Sequence, residues 1–70
     1  MEGWKERMID EYKELCNRIK KLDDFIQANE ERDESIVSDE QYRLMMIQYY
    51  AMCAYEGALR ARIEDIGVLF

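Results

Sequence analysis

The sequence predicts an all-α fold: an antiparallel two-helix hairpin that assembles into a homo-oligomeric helical bundle. Three observations carry this. The 70 residues include no proline and only Gly3, Gly57 and Gly67 as glycines, so little in the composition interrupts helix. Apolar residues in the first half recur at alternating spacings of four and three, the seam of a coiled-coil-like helix. In the stretch from Gln41 to Tyr55, QYRLMMIQYYAMCAY, twelve of fifteen residues are apolar or aromatic, and one neighbouring helix covers only one side of such a surface. A chain this small, folding alone, buries only roughly 60% of its unfolded surface. Identical copies are therefore expected to cover one another.

The first helix is expected over residues 4–29. Its seam reads Met8, Tyr12, Leu15, Ile19, Leu22 and Ile26, widened by Trp4, Cys16 and Phe25. The opposite side is charged, and pairs such as Glu14 with Arg18 add a few tenths of a kcal/mol each. The seam stops at residues 30–38, an acidic connector interrupted by Ile36 and Val37.

The second helix is expected over residues 39–66. Ser38 opens it as an N-cap, with Gln41 completing a capping box, Asp39 and Glu40 favoured by the helix dipole, and Val37 positioned as a staple against Tyr42 or a neighbour. Gly67 closes it in a left-handed C′ conformation, with Val68 folding back on Ile63. One seam, Met45, Tyr49, Met52, Glu56, Leu59, Ile63 and Ile66, pairs with helix 1 in the hairpin. A second stripe, Leu44, Ile47, Ala51, Ala54, Ala58 and Ala61, is assigned to the contact between subunits, because small side chains let helices approach closely. No repeat or internal boundary divides the chain, which reads as one hairpin domain over residues 1–70.

The net charge of −6 argues against a protein that grips the DNA or RNA backbone, which needs clustered Lys and Arg. Without histidine, and with two isolated cysteines, Cys16 and Cys53, the usual zinc sites are excluded and the thiols are expected reduced and packed. No cofactor is expected. No run approaches the roughly 18 apolar residues of a membrane span, and the charged amino-terminal stretch lacks an apolar signal core, so a cytoplasmic protein is expected.

Glu56 is the one acidic residue on the hairpin seam. Either its carboxylate reaches Arg60 or a basic residue of helix 1, or it is a buried acceptor that fixes register or holds a ligand hydroxyl. An enzyme built on Glu56 has no histidine, and no second carboxylate at helical spacing inside the apolar zone, to work with, so no catalytic centre is expected. Tyr42, Tyr49, Tyr50 and Tyr55, with Arg43, Arg60, Arg62 and Gln48 interleaved, form a set able to stack on a purine and bind its edge or phosphate. The same aromatics also suit packing, the arginines suit salt bridges to acidic helix 1, and Gln48 suits the setting of oligomer register. The arginines project from both halves of helix 2, so an anion pocket is expected only where subunits meet.

With these residues in view, the chain resembles a family of small helical-hairpin proteins encoded by phages and prophages, including crAss-like phages. The first helix is similar at Leu15, Arg18, Ile19, Lys21, Leu22, Phe25 and Ile26, the second at Leu44, Gln48, Ala51, Met52, Ala54, Tyr55, Leu59, Arg62 and Ile63. The AMxAY core, Ala51 to Tyr55, and the Arg62-Ile63 pair are the more specific parts. Tyr49, Tyr50 and Cys53 depart from the charged or aliphatic residues frequent in the family.

The resemblance implies an accessory phage protein acting in the infected bacterial cytoplasm. Its size and style are similar to those of oligomeric phage proteins that sequester nucleotide immune signals. On that analogy the partner is itself plus a cyclic nucleotide or ADP-ribose-derived messenger. The alternative is an acidic protein-interaction module in which helix 2 serves only assembly.

Overall fold

The computed structural model describes residues 3–31 and 37–67, and among these it is two α-helices with no strand. The first, α1, spans Gly3–Glu30, and the second, α2, spans Asp39–Asp65. They lie antiparallel in a rod of 51 × 16 × 15 Å. With 28 and 27 residues, the helices are each about 40 Å long at 1.5 Å per residue.

The expected bounds shift slightly. α1 runs to Glu30, and the Glu31 N–H still donates to the Gln27 carbonyl at 3.0 Å, so the connector starts later than residue 30. α2 ends at Asp65, with Ile66 as the C-cap outside the helix. Gly67 has φ +82°, and its N–H donates to the Glu64 carbonyl at 3.0 Å, satisfying an end carbonyl in a left-handed stop. The expected return of Val68 onto Ile63, and the role of Ile36, lie outside the described residues.

At the start of α2 the Ser38 Oγ accepts the Gln41 N–H at 3.1 Å, and the Ser38 carbonyl accepts the Tyr42 N–H at 2.9 Å. Val37, half-buried, is tied to α1 through its own N–H, which donates to Asn29 Oδ1 at 3.4 Å. That bond explains how the polar Asn29 is buried at the end of α1, where the sequence suggested only the edge of a connector.

The core is the pairing of the two seams. Met8, Tyr12 and Leu15 of α1 close on Leu59 and Ile63 of α2, which are 1% and 0% exposed. Ile9, Cys16, Ile19, Met52 and Ile66 pack around this cluster, half-buried. Ile26 is buried nearer the connector. Two expected seam members depart: Trp4 and Phe25 are exposed. Trp4 stands one turn beyond Met8 at the open end of the hairpin. Phe25 lies roughly 100° around α1 from the seam axis, by 3.6 residues per turn. A single neighbouring helix reaches neither position.

The rest of α2's apolar surface stays uncovered. Leu44, Ile47, Ala51, Ala54, Ala58 and Ala61 are all exposed, Ile47 at 52%, on the side of α2 turned away from α1. Cys16 and Cys53 are free thiols, both half-buried. Neither described helix is long and apolar enough to cross a membrane.

Candidate functional site

Three hydrogen bonds from tyrosine hydroxyls to glutamates tie α1 to α2. The Tyr12 hydroxyl donates to Glu56 Oε1 at 2.8 Å, near the centre of the core. Beside it, at nearly the same level of the hairpin, Tyr55 donates to Glu11 Oε1, and toward the connector, Tyr42 donates to Glu30 Oε1. The antiparallel register shows in the first and last of these pairs, since from Tyr12 to Glu30 the numbers rise on α1 while from Glu56 to Tyr42 they fall on α2. A hydroxyl and a carboxylate at seam edges can meet across the hairpin while their chains stay packed.

The Tyr12 pair is part of a three-membered cluster. Arg60 Nε donates to the Tyr12 hydroxyl at 3.1 Å, its terminal nitrogen is 3.4 Å from Glu56 Oε1, and the guanidinium stands over the Tyr12 ring at 6.0 Å. The Glu56 side chain is 23% exposed and has both partners, so its charge enters the seam already paired. The Glu56 carboxylate raises the Tyr12 hydroxyl above the ordinary tyrosine range, with Arg60 pulling in the opposite direction. Arg60 in turn is held more firmly protonated, chiefly by its bond to Tyr12. Among the described residues no buried side-chain nitrogen or oxygen lacks a partner.

The other candidate residues fall on two flanks of α2. Gln48, Tyr55 and Arg62 are seven residues apart and line one flank, while Arg43 and Tyr50, also seven apart, line the other. Tyr49, Glu56 and Arg60 face α1 or border it. The structure thus brings Glu56 and Arg60 together and sets Tyr49 beside Tyr50, their rings edge-to-face with centroids 5.7 Å apart. It does not gather the eight into one place. Successive members of a flank row are about 10 Å apart along the helix.

Local contacts tune these groups. Arg43 forks onto Glu40, donating from Nε at 3.2 Å and from a terminal nitrogen at 2.6 Å, which raises its pKa further. The Cys53 thiol beside Tyr49 raises that hydroxyl, and Glu11 does the same for Tyr55 and Glu30 for Tyr42. Tyr50 is 63% exposed. Gln48 and Arg62 are exposed as well. Among the described residues no group of His, Cys, Asp and Glu is arranged to hold a metal ion.

Sequence reasoning missed Tyr12 as a polar partner, and with it Glu11, Glu30 and Asn29. The signal for Tyr12 was present: a hydroxyl on one seam, a carboxylate on the other, and a register that sets them opposite. Treating Tyr12 only as an apolar seam member hid it.

A family model described as Sequestin matches residues 2–65, which takes in both helices and the segment between them. No curated protein and no solved structure matches the chain. The family's name speaks of a sequestering role, and the chain belongs to the Sequestin family.

Proposed function

We propose that this Sequestin-family chain is a non-enzymatic phage accessory protein and an antagonist of host defence. It self-associates and sequesters a nucleotide-derived immune signal, a cyclic nucleotide or an ADP-ribose-derived messenger, in pockets between subunits of the assembly. The family match over residues 2–65 carries the reading, because sequestering requires binding without turnover. The side chains of α2 supply the chemistry: tyrosine faces stack on bases, and guanidinium groups fork onto phosphates. Exposed Gln48, Tyr55 and Arg62, in that order along one flank, offer an amide for a base edge, a ring to stack on and a guanidinium for a phosphate. Because residues of one flank are about 10 Å apart along the helix, a second copy is needed to close the intervals into a pocket. The bacterial cytoplasm, where such messengers act, is the corresponding compartment.

Calorimetric titration and thermal-shift measurement against cyclic di- and trinucleotides and ADP-ribose derivatives test this. Binding is expected with intact ligand recovered after denaturation of the protein. Tyr55→Ala is expected to weaken binding by roughly 5- to 150-fold, the range set by loss of one stacked base at about 1–3 kcal/mol. Turnover of the ligand would make the chain an enzyme. No heat and no thermal shift at saturating ligand, with capture of a basic host protein that is lost on neutralising the acidic residues of 29–40, would leave the acidic interaction module instead.

A further inference from the structure

We infer that two copies of this chain pair through α2 in antiparallel orientation about a two-fold axis lying level with Met52 and Cys53, a deepening that rests on the self-association just proposed. Size sets the need for a partner. A compact monomer of 8.5 kDa exposes about 4,700 Å² by the scaling of monomeric proteins. This chain exposes 5428 Å², an excess of roughly 700–800 Å². That is close to the area of about 800 Å² that each partner buries in a stable interface. The outer stripe of α2 from Leu44 to Ala61 is an exposed apolar face about 26 Å long among the described residues.

The order of residues along that stripe selects the orientation. The large side chains, Leu44 and Ile47, are at one end, and the alanines fill the rest. Parallel copies in register would set Leu44 against Leu44 and Ile47 against Ile47, and leave a gap between alanines at the other end. Antiparallel copies set Leu44 against the partner's Ala61 and Ile47 against the partner's Ala58, with Ala51 facing Ala54 at the centre. Every contact then joins a large residue to a small one, or two small ones, so the helices stay at one close separation along the whole face.

Gly57 adds an independent observation. A glycine weakens a helix interior, yet among the described residues, its own turn of helix aside, nothing occupies the space within 4 Å of where its Cβ would be. No contact among the described residues therefore accounts for it. In the antiparallel pair, Tyr50 of each copy lies on the same flank as the partner's Gly57 and leans toward it, because helical side chains point toward their own N-terminus. The most exposed of the large apolar side chains thereby covers the position with no side chain.

The two-fold axis is perpendicular to both α2 helices and to the line joining them, so each flank stays on its own side. Gln48, Tyr55 and Arg62 of both copies consequently line one groove, the two tyrosines near its middle and the two arginines at its ends. This assigns the shared pocket to that groove, and assigns Arg43 and Tyr50 to the opposite flank.

The full-length variant Ile47→Cys/Ala58→Cys, oxidised mildly and mapped by peptide mass spectrometry, reads the orientation, and light-scattering mass of wild type and Gly57→Leu reads the pairing. Expected are disulfides between position 47 of one copy and 58 of the other, and for Gly57→Leu a fall in mass to half that of the wild type at tens of micromolar, with helix content by circular dichroism preserved. An oligomer that links 47 to 47, fails to link 47 to 58, or keeps its mass in Gly57→Leu overturns this pairing and leaves self-association standing. A wild type with the mass of one hairpin overturns both. A correctly linked pair that binds none of the tested nucleotides supports the pairing and removes the sequestering function.

Discussion

The hydroxyl of Tyr12 and the carboxylate of Glu56, 44 positions apart in sequence, meet at 2.8 Å across the hairpin. Arg60 bonds both, so the seam holds a neutralised polar cluster next to fully buried Leu59 and Ile63. Such a cluster fixes register, because sliding either helix by one turn would take the Tyr12 hydroxyl away from Glu56 and leave Arg60, on the same helix, as its partner.

Removing the Tyr12 hydroxyl should therefore cost stability with little change in packing. Tyr12→Phe is expected to lower the free energy of unfolding by about 1.5–3 kcal/mol, the worth of a hydrogen bond to a charged acceptor. Urea denaturation followed by circular dichroism measures it. A double-mutant cycle with Glu56→Gln should give a coupling well above zero, and additive losses would mean that the pair contributes nothing beyond its separate parts.

Alkaline pH should weaken the hairpin. Tyr12, Tyr42, Tyr49 and Tyr55 are all raised above the ordinary tyrosine value of 10.0 in the folded chain. The folded form then holds protons that the unfolded form has begun to release, so stability is full below pH 10 and declines as pH rises above it. Thermal melts between pH 8 and 11.5, read alongside tyrosinate absorbance, should show constant melting temperature at first and a fall beyond pH 10, shallower in Tyr12→Phe.

The two faces of α2 should respond differently to truncation. Ile63 is 0% exposed, and Ile63→Ala is expected to cost about 2–5 kcal/mol and to unfold the hairpin. Ile47→Ala, on the outer face, should leave the helical signal of a single chain intact while lowering the concentration-dependent part of the melting temperature. Melting curves at several protein concentrations separate the two effects.

The ends of α2 carry their own local stability. Gly67→Ala forces a side chain into a left-handed conformation at φ +82° and should cost about 1 kcal/mol. Ser38→Ala removes the acceptor of the Gln41 N–H and should cost a similar amount, about 1 kcal/mol. Chemical denaturation of both single variants and of the pair checks that the losses add, as they should for sites at opposite ends of a helix.

Periodicity made the hairpin legible. The 4-3 spacing from Met8 to Ile26 and the matching seam from Met45 to Ile66 determined which faces meet, and Ser38 and Gly67 marked the ends of α2, because caps are local chemistry written into neighbouring residues. The candidate site was less legible. The spacing of Gln48, Tyr55 and Arg62 told which residues share a flank, whereas the partners of the tyrosines depended on which rung of α1 stood opposite each one.

What the sequence alone determined is therefore the two helices, their inward faces and the surplus of apolar surface on α2, all consequences of a repeat of 3.6 residues per turn acting on side-chain type. Only the tertiary structure decided the pairing of Tyr12 with Glu56, of Tyr55 with Glu11 and of Asn29 with Val37. Those contacts follow from the longitudinal register of one helix on the other. Apolar seams tolerate several such registers, and hydrogen bonds between specific atoms select one.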